Sequence, residues 1–183
     1  METLNAIEER RSIRKYTEKK LDKKIIEDIL NCGRLAPSAK NRQPWYFVIV
    51  TDEIKDKIVN LMINYAETSL DEIDLVDRNT IIPTANVIKQ SPTLILIFRE
   101  KNDKRIIEDC LGIGACIQNM CLRATDLSIG SLWIRDVEYI SEIISKMIGL
   151  DNLELNCALS LGYADQTPKM RPRKELKDIT KWY

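Results

Sequence analysis

Strands alternating with amphipathic helices place this chain among the mixed classes, α/β or α+β. Three observations carry that prediction. Apolar runs at 46–50, 93–98, 130–134 and 155–161 read as strands. Segments with helical apolar spacing fill the gaps between them, at 21–32, 54–65, 106–127 and 140–148. The length of 183 residues suits one domain with a proper core, and two independent domains would be cramped.

The elements follow in order. Leu4 and Ile7 mark the apolar side of a short first helix, which ends at the basic cluster Arg10-Arg11-Ser12-Ile13-Arg14. In 21–32, Ile25, Ile26, Ile29 and Leu30 share a face, Asp22 is placed to cap the start, and Gly33 is expected to stop the helix. Residues 46–50 form a buried strand, after which Asp52 can cap a helix carrying Ile54, Ile58, Leu61, Met62 and Tyr65. The pattern weakens over 66–90, which holds Pro83 and reads as an excursion over a site. Pro92 introduces the buried strand 93–98.

Helix 106–127 is apolar around much of its circumference, so it is expected to be buried on more than one side and to meet a partner subunit. Gly112 and Gly114 weaken it intrinsically and imply close approach of a backbone or a ligand. A short strand follows at 130–134, then a helix with Ile140, Ile143, Ile144, Met147 and Ile148, closed by Gly149. Leu155, Cys157, Leu159 and Leu161 alternate with Asn156, Ala158 and Ser160, the pattern of a half-buried strand. Beyond Tyr163 the chain turns polar and basic. One domain, 1–183, is expected, with 165–183 as an extension draped across something else.

Composition excludes several chemistries. Lys+Arg and Asp+Glu both number 28, so net charge gives no reason to expect a polyanion or an anionic membrane as partner. Basic residues are nonetheless dense in 10–24 and 169–177, which suits a local anion site. The chain contains no His, which removes the usual general base, the Ser-His-Asp and Cys-His arrangements and most catalytic zinc sites. Five Cys at 32, 110, 116, 121 and 157 form no C-x-x-C pair and read as free, buried thiols in a reducing compartment. The acidic N-terminus lacks the apolar core of a signal peptide, and the longest strongly apolar run, 94–98, is too short to span a membrane. A cytoplasmic location is expected.

The most informative stretch is Ala36-Pro37-Ser38-Ala39-Lys40-Asn41-Arg42-Gln43-Pro44-Trp45. Two prolines restrict the backbone, and Ser38, Asn41 and Gln43 offer donors and acceptors to a flat polar ligand edge. An ordinary helix-to-strand connection fits the same residues. The cluster at 10–14, with its guanidinium forks and the Ser12 hydroxyl, suits a phosphate, as does Arg173 in the second cluster Arg171-Pro172-Arg173-Lys174; a solvated basic face fits equally. Trp45 and Trp133 are expected to pack in the core. Gly112-Ile113-Gly114 is no dinucleotide fingerprint, because Ile117 stands where the third glycine is required and the motif lies within a helical pattern.

Taken in order, R-R-S-x-R at 10–14, A-P-S-x-x-N-x-Q-P-W at 36–45, the buried helix, Gly130-Ser131-Leu132-Trp133-Ile134, and Leu161-Gly162-Tyr163 before Arg173-Lys174 resemble the nitroreductase family of flavin enzymes. The resemblance spans essentially the whole chain. It implies an α+β fold with a central, mostly antiparallel sheet flanked by helices, in an intertwined homodimer whose C-terminal tail crosses to the partner. It implies two FMN molecules at the subunit interface and NAD(P)H as electron donor. Arg10, Arg11, Ser12, Arg14 and Arg173 would hold the phosphate and ribityl chain, while Pro37, Ser38, Ala39 and Asn41 would contact the flavin of the opposite protomer. Backbone amides of Trp133, Ile134 and Arg135 would face the flavin N5 region. Many members carry Gly at that turn, where this sequence has Arg135-Asp136. Asn86 and Lys89 resemble a flavin-contacting Asn-x-x-Lys pair of longer members.

The implied activity is ping-pong reduction of nitroaromatics, quinones or a related small acceptor, with no side-chain acid or base nominated and no metal. Reductive dehalogenation, flavin fragmentation and flavin binding without turnover are the alternatives.

Overall fold

The computed structural model describes residues 1–50, 52–69 and 75–183. Its frame is one four-stranded sheet in the order β1-β2-β4-β3, built from Tyr46–Val50 (β1), Thr93–Glu100 (β2), Gly130–Ile134 (β3) and Leu153–Gly162 (β4). Every neighbouring pair is antiparallel. The helices are Thr3–Glu9 (α1), Lys23–Arg34 (α2), Asp52–Thr68 (α3), Leu75–Gln90 (α4), Ile106–Asp126 (α5) and Ser141–Met147 (α6). The architecture is α+β, as the resemblance implied.

Strand periodicity divides the core in two. On β2, Leu94, Leu96 and Phe98 point into a cluster with Ile58, Met62, Ile81, Ala85 and Ile88 of α3 and α4. Ile95 and Ile97 point the other way, onto Ile29 of α2 and Ile113, Ile117 and Met120 of α5. All five β2 residues are fully buried, and each such side chain contributes about 1.5–3 kcal/mol over exposure. The sheet is thus the middle layer of three.

Several expectations are corrected by this packing. Gly33 does not stop α2, which continues to Arg34. A Cβ on Gly33 would lie 2.7 Å from Met120 Cγ, so the glycine serves the close crossing of α2 over α5. Asp22 flanks the start of α2 without a side-chain cap, its carbonyl accepting from the amides of Ile25 and Ile26 at 3.0 and 3.3 Å. Asp52 begins α3 with φ of 51° and places its carboxylate 3.7 Å from Lys20. Of the expected excursion 66–90, the described part is mostly helix: Ala66, Ile81, Ala85 and Ile88 are buried where α3 and α4 pack together, and Pro83 lies within α4. Residues 70–74 lie outside the described residues.

Strand β4 is not half-buried but central, with β2 on one side and β3 on the other. Asn156 falls at a register shift opposite Ile97 and Phe98, and its amide donates to Cys110 Sγ at 3.3 Å. Ser160 is fully buried and bonded to Ser91 Oγ at 3.3 Å. Helix α5 buries Ile113, Cys116, Ile117, Met120 and Cys121, and leaves Ile107 and Leu111 at 76% and 71% exposure. The tail from 171 to 183 is exposed throughout.

Candidate functional site

The basic segment is laid against the sheet edge. Ser12 forms a parallel bridge with Ser131 of β3, and the Ile13 amide donates to the Ser131 carbonyl at 2.9 Å. Tyr16 bridges Ala164, the Thr17 amide donates to Tyr163 O, and the Asp165 amide returns to Lys15 O, both at 2.9 Å. Gly130 makes the approach possible, since a Cβ there would lie 2.8 Å from Ile13 Cγ2. These bonds bring the exit of β4, and with it the start of the tail, back beside residues 10–14.

The result is a cleft of about 160 Å³ in which Arg10, Arg11, Ser12, Arg14 and Arg173 meet Lys169 and Arg171. Six cationic side chains line it, and no carboxylate does among the described residues. Arg14 and Arg173 make only long bonds to nearby carbonyls, at 3.5 Å to Ser12 O and 3.4 Å to Arg171 O. Arg11 differs: its Nη1 donates to Glu8 O and Arg10 O at 2.5 and 2.9 Å, serving carbonyls at the end of α1. Guanidinium forks and a hydroxyl of this kind can neutralise and hydrogen-bond a dianionic phosphate ester. Lys169 was not singled out from sequence, although it lies in the dense basic stretch 169–177.

The 36–45 stretch forms a second wall. Lys40, Asn41 and Gln43 all have left-handed backbone, at φ of 54°, 54° and 50°. Such a conformation costs a non-glycine residue about 1–2 kcal/mol, less for Asn. Ser38 Oγ accepts from the Gln43 amide at 2.9 Å, and Arg42 forms ion pairs with Asp109 and, at 3.4 Å, Glu108 of α5. Gly112 lets the loop lie close: a Cβ there would sit 3.3 Å from Ser38 Cβ. Pro37, Ser38 and Ala39 thereby line a groove of about 320 Å³ with Leu111, Gly112 and Ala115, whereas Asn41 is exposed outside it.

Trp133, expected in the core, is 47% exposed. Its ring covers Gly114, where a Cβ would lie 3.6 Å from Cη2, so both α5 glycines accommodate a close neighbour. Ile134 is buried. The Arg135 guanidinium bonds Glu138 Oε2 at 3.0 Å and Tyr139 Oη at 3.2 Å, and lies 5.4 Å from the centre of the Tyr139 ring, which stacks on Tyr65. Trp45 is half-buried at the margin of the α2–α5 core layer. Asn86 and Lys89 are both exposed on α4 and line neither the cleft nor the groove.

The three buried thiols are poor nucleophiles. Burial pushes Cys116 and Cys157 up to about 12, and it raises Cys121 as well. Among the described residues no group of His, Cys, Asp and Glu is placed to hold a metal ion, and no helix is long and apolar enough to cross a membrane.

An antiparallel sheet between two helical layers, with a cleft of cationic side chains at its edge, defines an α+β protein. The chain belongs to the nitroreductase family, whose family model matches residues 7–163. It is 26% identical over 176 residues to a Bacillus subtilis (strain 168) protein that carries the provisional name NAD(P)H nitroreductase YfhC, covering 94% of this chain and 89% of YfhC. It is 25% identical over 177 residues to an iodotyrosine deiodinase of Thermotoga neapolitana, covering 91% of each. In fold it matches a provisionally named nitroreductase of Desulfovibrio desulfuricans solved in complex with FMN, with a TM-score of 0.80, 24% identity, and coverage of 98% of this chain and 95% of that one.

Proposed function

We propose that this nitroreductase-family oxidoreductase is a homodimeric FMN enzyme that takes electrons from NAD(P)H and passes them to a nitroaromatic, a quinone or a related small acceptor. The observation that carries the reading is the cleft of six cations without a carboxylate, built on the edge of β3. In this reading Arg10, Arg14 and Arg173, with Lys169 and Arg171, neutralise the FMN phosphate, and Ser12 donates to it or to the ribityl chain. Arg11 holds the segment onto α1. Backbone amides of Trp133, Ile134 and Arg135, on and just beyond β3, face the ring system and orient it. When bound, FMN supplies the hydride chemistry, which is why a chain without histidine can run the reaction. The chain's part is to bind, orient and shape access, with the Arg135 guanidinium beside the entrance.

In this reading the enzyme is a homodimer. The phosphate cleft and the Pro37–Ser38–Ala39 groove share no residues, and the flavin meets one of these walls from each of two protomers. Leu4, Ile7, Leu35, Ile107 and Leu111 are exposed on α1, α5 and the end of α2, and the 165–183 extension of the single domain reaches across to the partner. The five free cysteines fit a reducing, cytoplasmic setting.

Purification tests the proposal. The protein should be yellow, bleach anaerobically with NADH or NADPH, and regain its colour with a nitroarene or quinone. A colourless protein that takes up no added FMN would overturn it. Reductive dehalogenation is the second reading, favoured by the deiodinase relative of similar coverage; release of iodide from an iodophenol by the reduced protein, faster than nitroarene turnover, selects it. A yellow protein inert to both nicotinamides identifies a binding protein without turnover.

A further inference from the structure

We propose that Arg42 is a positioning residue: its ion pair with Asp109 holds the 38–44 turn in the left-handed conformation that shapes the groove wall. The inference rests on the flavin-binding reading above.

Three of the four residues from 40 to 43 are left-handed, and none of the three is glycine. The Ser38–Gln43 hydrogen bond closes the turn on itself but does not attach it to the rest of the molecule. Ser38 and Pro44 lie against Gly112 of α5, 3.3 and 3.7 Å from where a Cβ would stand. The turn also borders a cavity of about 200 Å³, lined in part by Gln43, Trp45, Tyr46, Asn102 and Arg105, into which a released turn can relax. Arg42 and Asp109 both line this cavity. Its guanidinium reaches the Asp109 carboxylate, whose side chain is 6% exposed on the first turns of α5, and lies 3.4 Å from Glu108.

Arg42 does not itself line the groove formed by Pro37, Ser38 and Ala39, whereas Glu108, 3.4 Å from its guanidinium, does, so Arg42 acts on that wall through its neighbours. Its Nε is buried with no hydrogen-bond partner among the described residues. A partly desolvated ion pair of this kind adds little net stability yet is costly to break, which suits a device that fixes geometry.

The test is FMN titration of the full-length apoprotein, followed by flavin fluorescence and by the visible circular dichroism of the bound flavin. Arg42→Ala should weaken FMN binding roughly tenfold or more, with a changed dichroism band. Arg42→Lys, which keeps the charge but not the fork, should fall between it and the parent. Adding Lys40→Gly to Arg42→Ala should recover much of the affinity and the band, because glycine takes left-handed φ without strain. A through-space charge effect does not predict that recovery, and thermal melts of the same variants separate it from a general gain in stability. If Arg42→Ala does not fold, Asp109→Asn is measured in the same way. Unchanged FMN affinity in Arg42→Ala or Asp109→Asn overturns the inference, as does a failure of Lys40→Gly to restore binding. Arg14→Ala separates the two claims: if it loses FMN while Arg42→Ala does not, only the positioning role fails. If the parent protein binds no FMN, the flavin reading fails with it.

Discussion

Arg11 and Arg14 sit on one extended segment and turn to different partners. Arg14 makes a single long bond to Ser12 O, whereas Arg11 is committed to two carbonyls at the end of α1. Arg14→Ala should therefore weaken FMN binding roughly tenfold and leave the melting temperature nearly unchanged. Arg11→Ala should do the reverse, costing about 1 kcal/mol of stability with a smaller loss of affinity. Fluorescence titration and thermal melts of both variants check the pair. The thiols give a pH prediction. Cys116 and Cys157 ionise near 12 when folded, above their ordinary value of 9.0. The folded state thus holds their protons where the unfolded state releases them. Stability from this source is complete below pH 9 and falls as pH rises from there toward 12, by up to about 1.4 kcal/mol per pH unit for each thiol. Denaturant melts between pH 8 and 11 should show the decline, and a Cys157→Ser variant should show a shallower one. At this scale the sequence is least legible. Gly33 reads as a helix stop because the partner that needs its bare face, Met120, is 87 residues away.

At the scale of elements, most segments were visible from periodicity, and the misreadings share a cause. Strand β4 looks half-solvated because Asn156, Ala158 and Ser160 alternate with apolar residues. In the fold, Asn156 occupies a register shift and bonds Cys110, while Ser160 finds Ser91 inside the core. Polar residues that meet partners distant in sequence are indistinguishable, in one dimension, from those that meet water. The bridge between Ser12 and Ser131 was hidden for the same reason, although both flanking motifs were recognised. Its dependence on Gly130 is testable. Gly130→Ala places a methyl 2.8 Å from Ile13 Cγ2 and should destabilise the protein by about 1–3 kcal/mol. Because Ile13 lies between Ser12 and Arg14, FMN affinity should fall in the same variant, read by titration below its melting temperature.

For the whole molecule, the α+β class and the basic clusters were legible, but the meeting of the two clusters was not. It depends on β4 leaving the sheet beside Tyr16, so that residues 169–173 return to Arg10 and Arg14. Ending the chain at Ala164 removes Lys169, Arg171 and Arg173 together. Such a truncation should lose most FMN affinity and shift sedimentation toward the monomer, while the sheet and both core layers persist in circular dichroism. The segment carrying Ser12 and Ile13 also covers part of an outer strand, β3. An outermost strand presents unsatisfied amides and carbonyls that invite pairing with another chain. Residues 12 and 13 occupy part of that row on β3. Any ligand that stabilises this arm therefore also protects the molecule from edge-to-edge aggregation. Amide hydrogens of β3 should exchange more slowly when FMN is present, and apoprotein carrying Gly130→Ala should be the first form to aggregate on concentration.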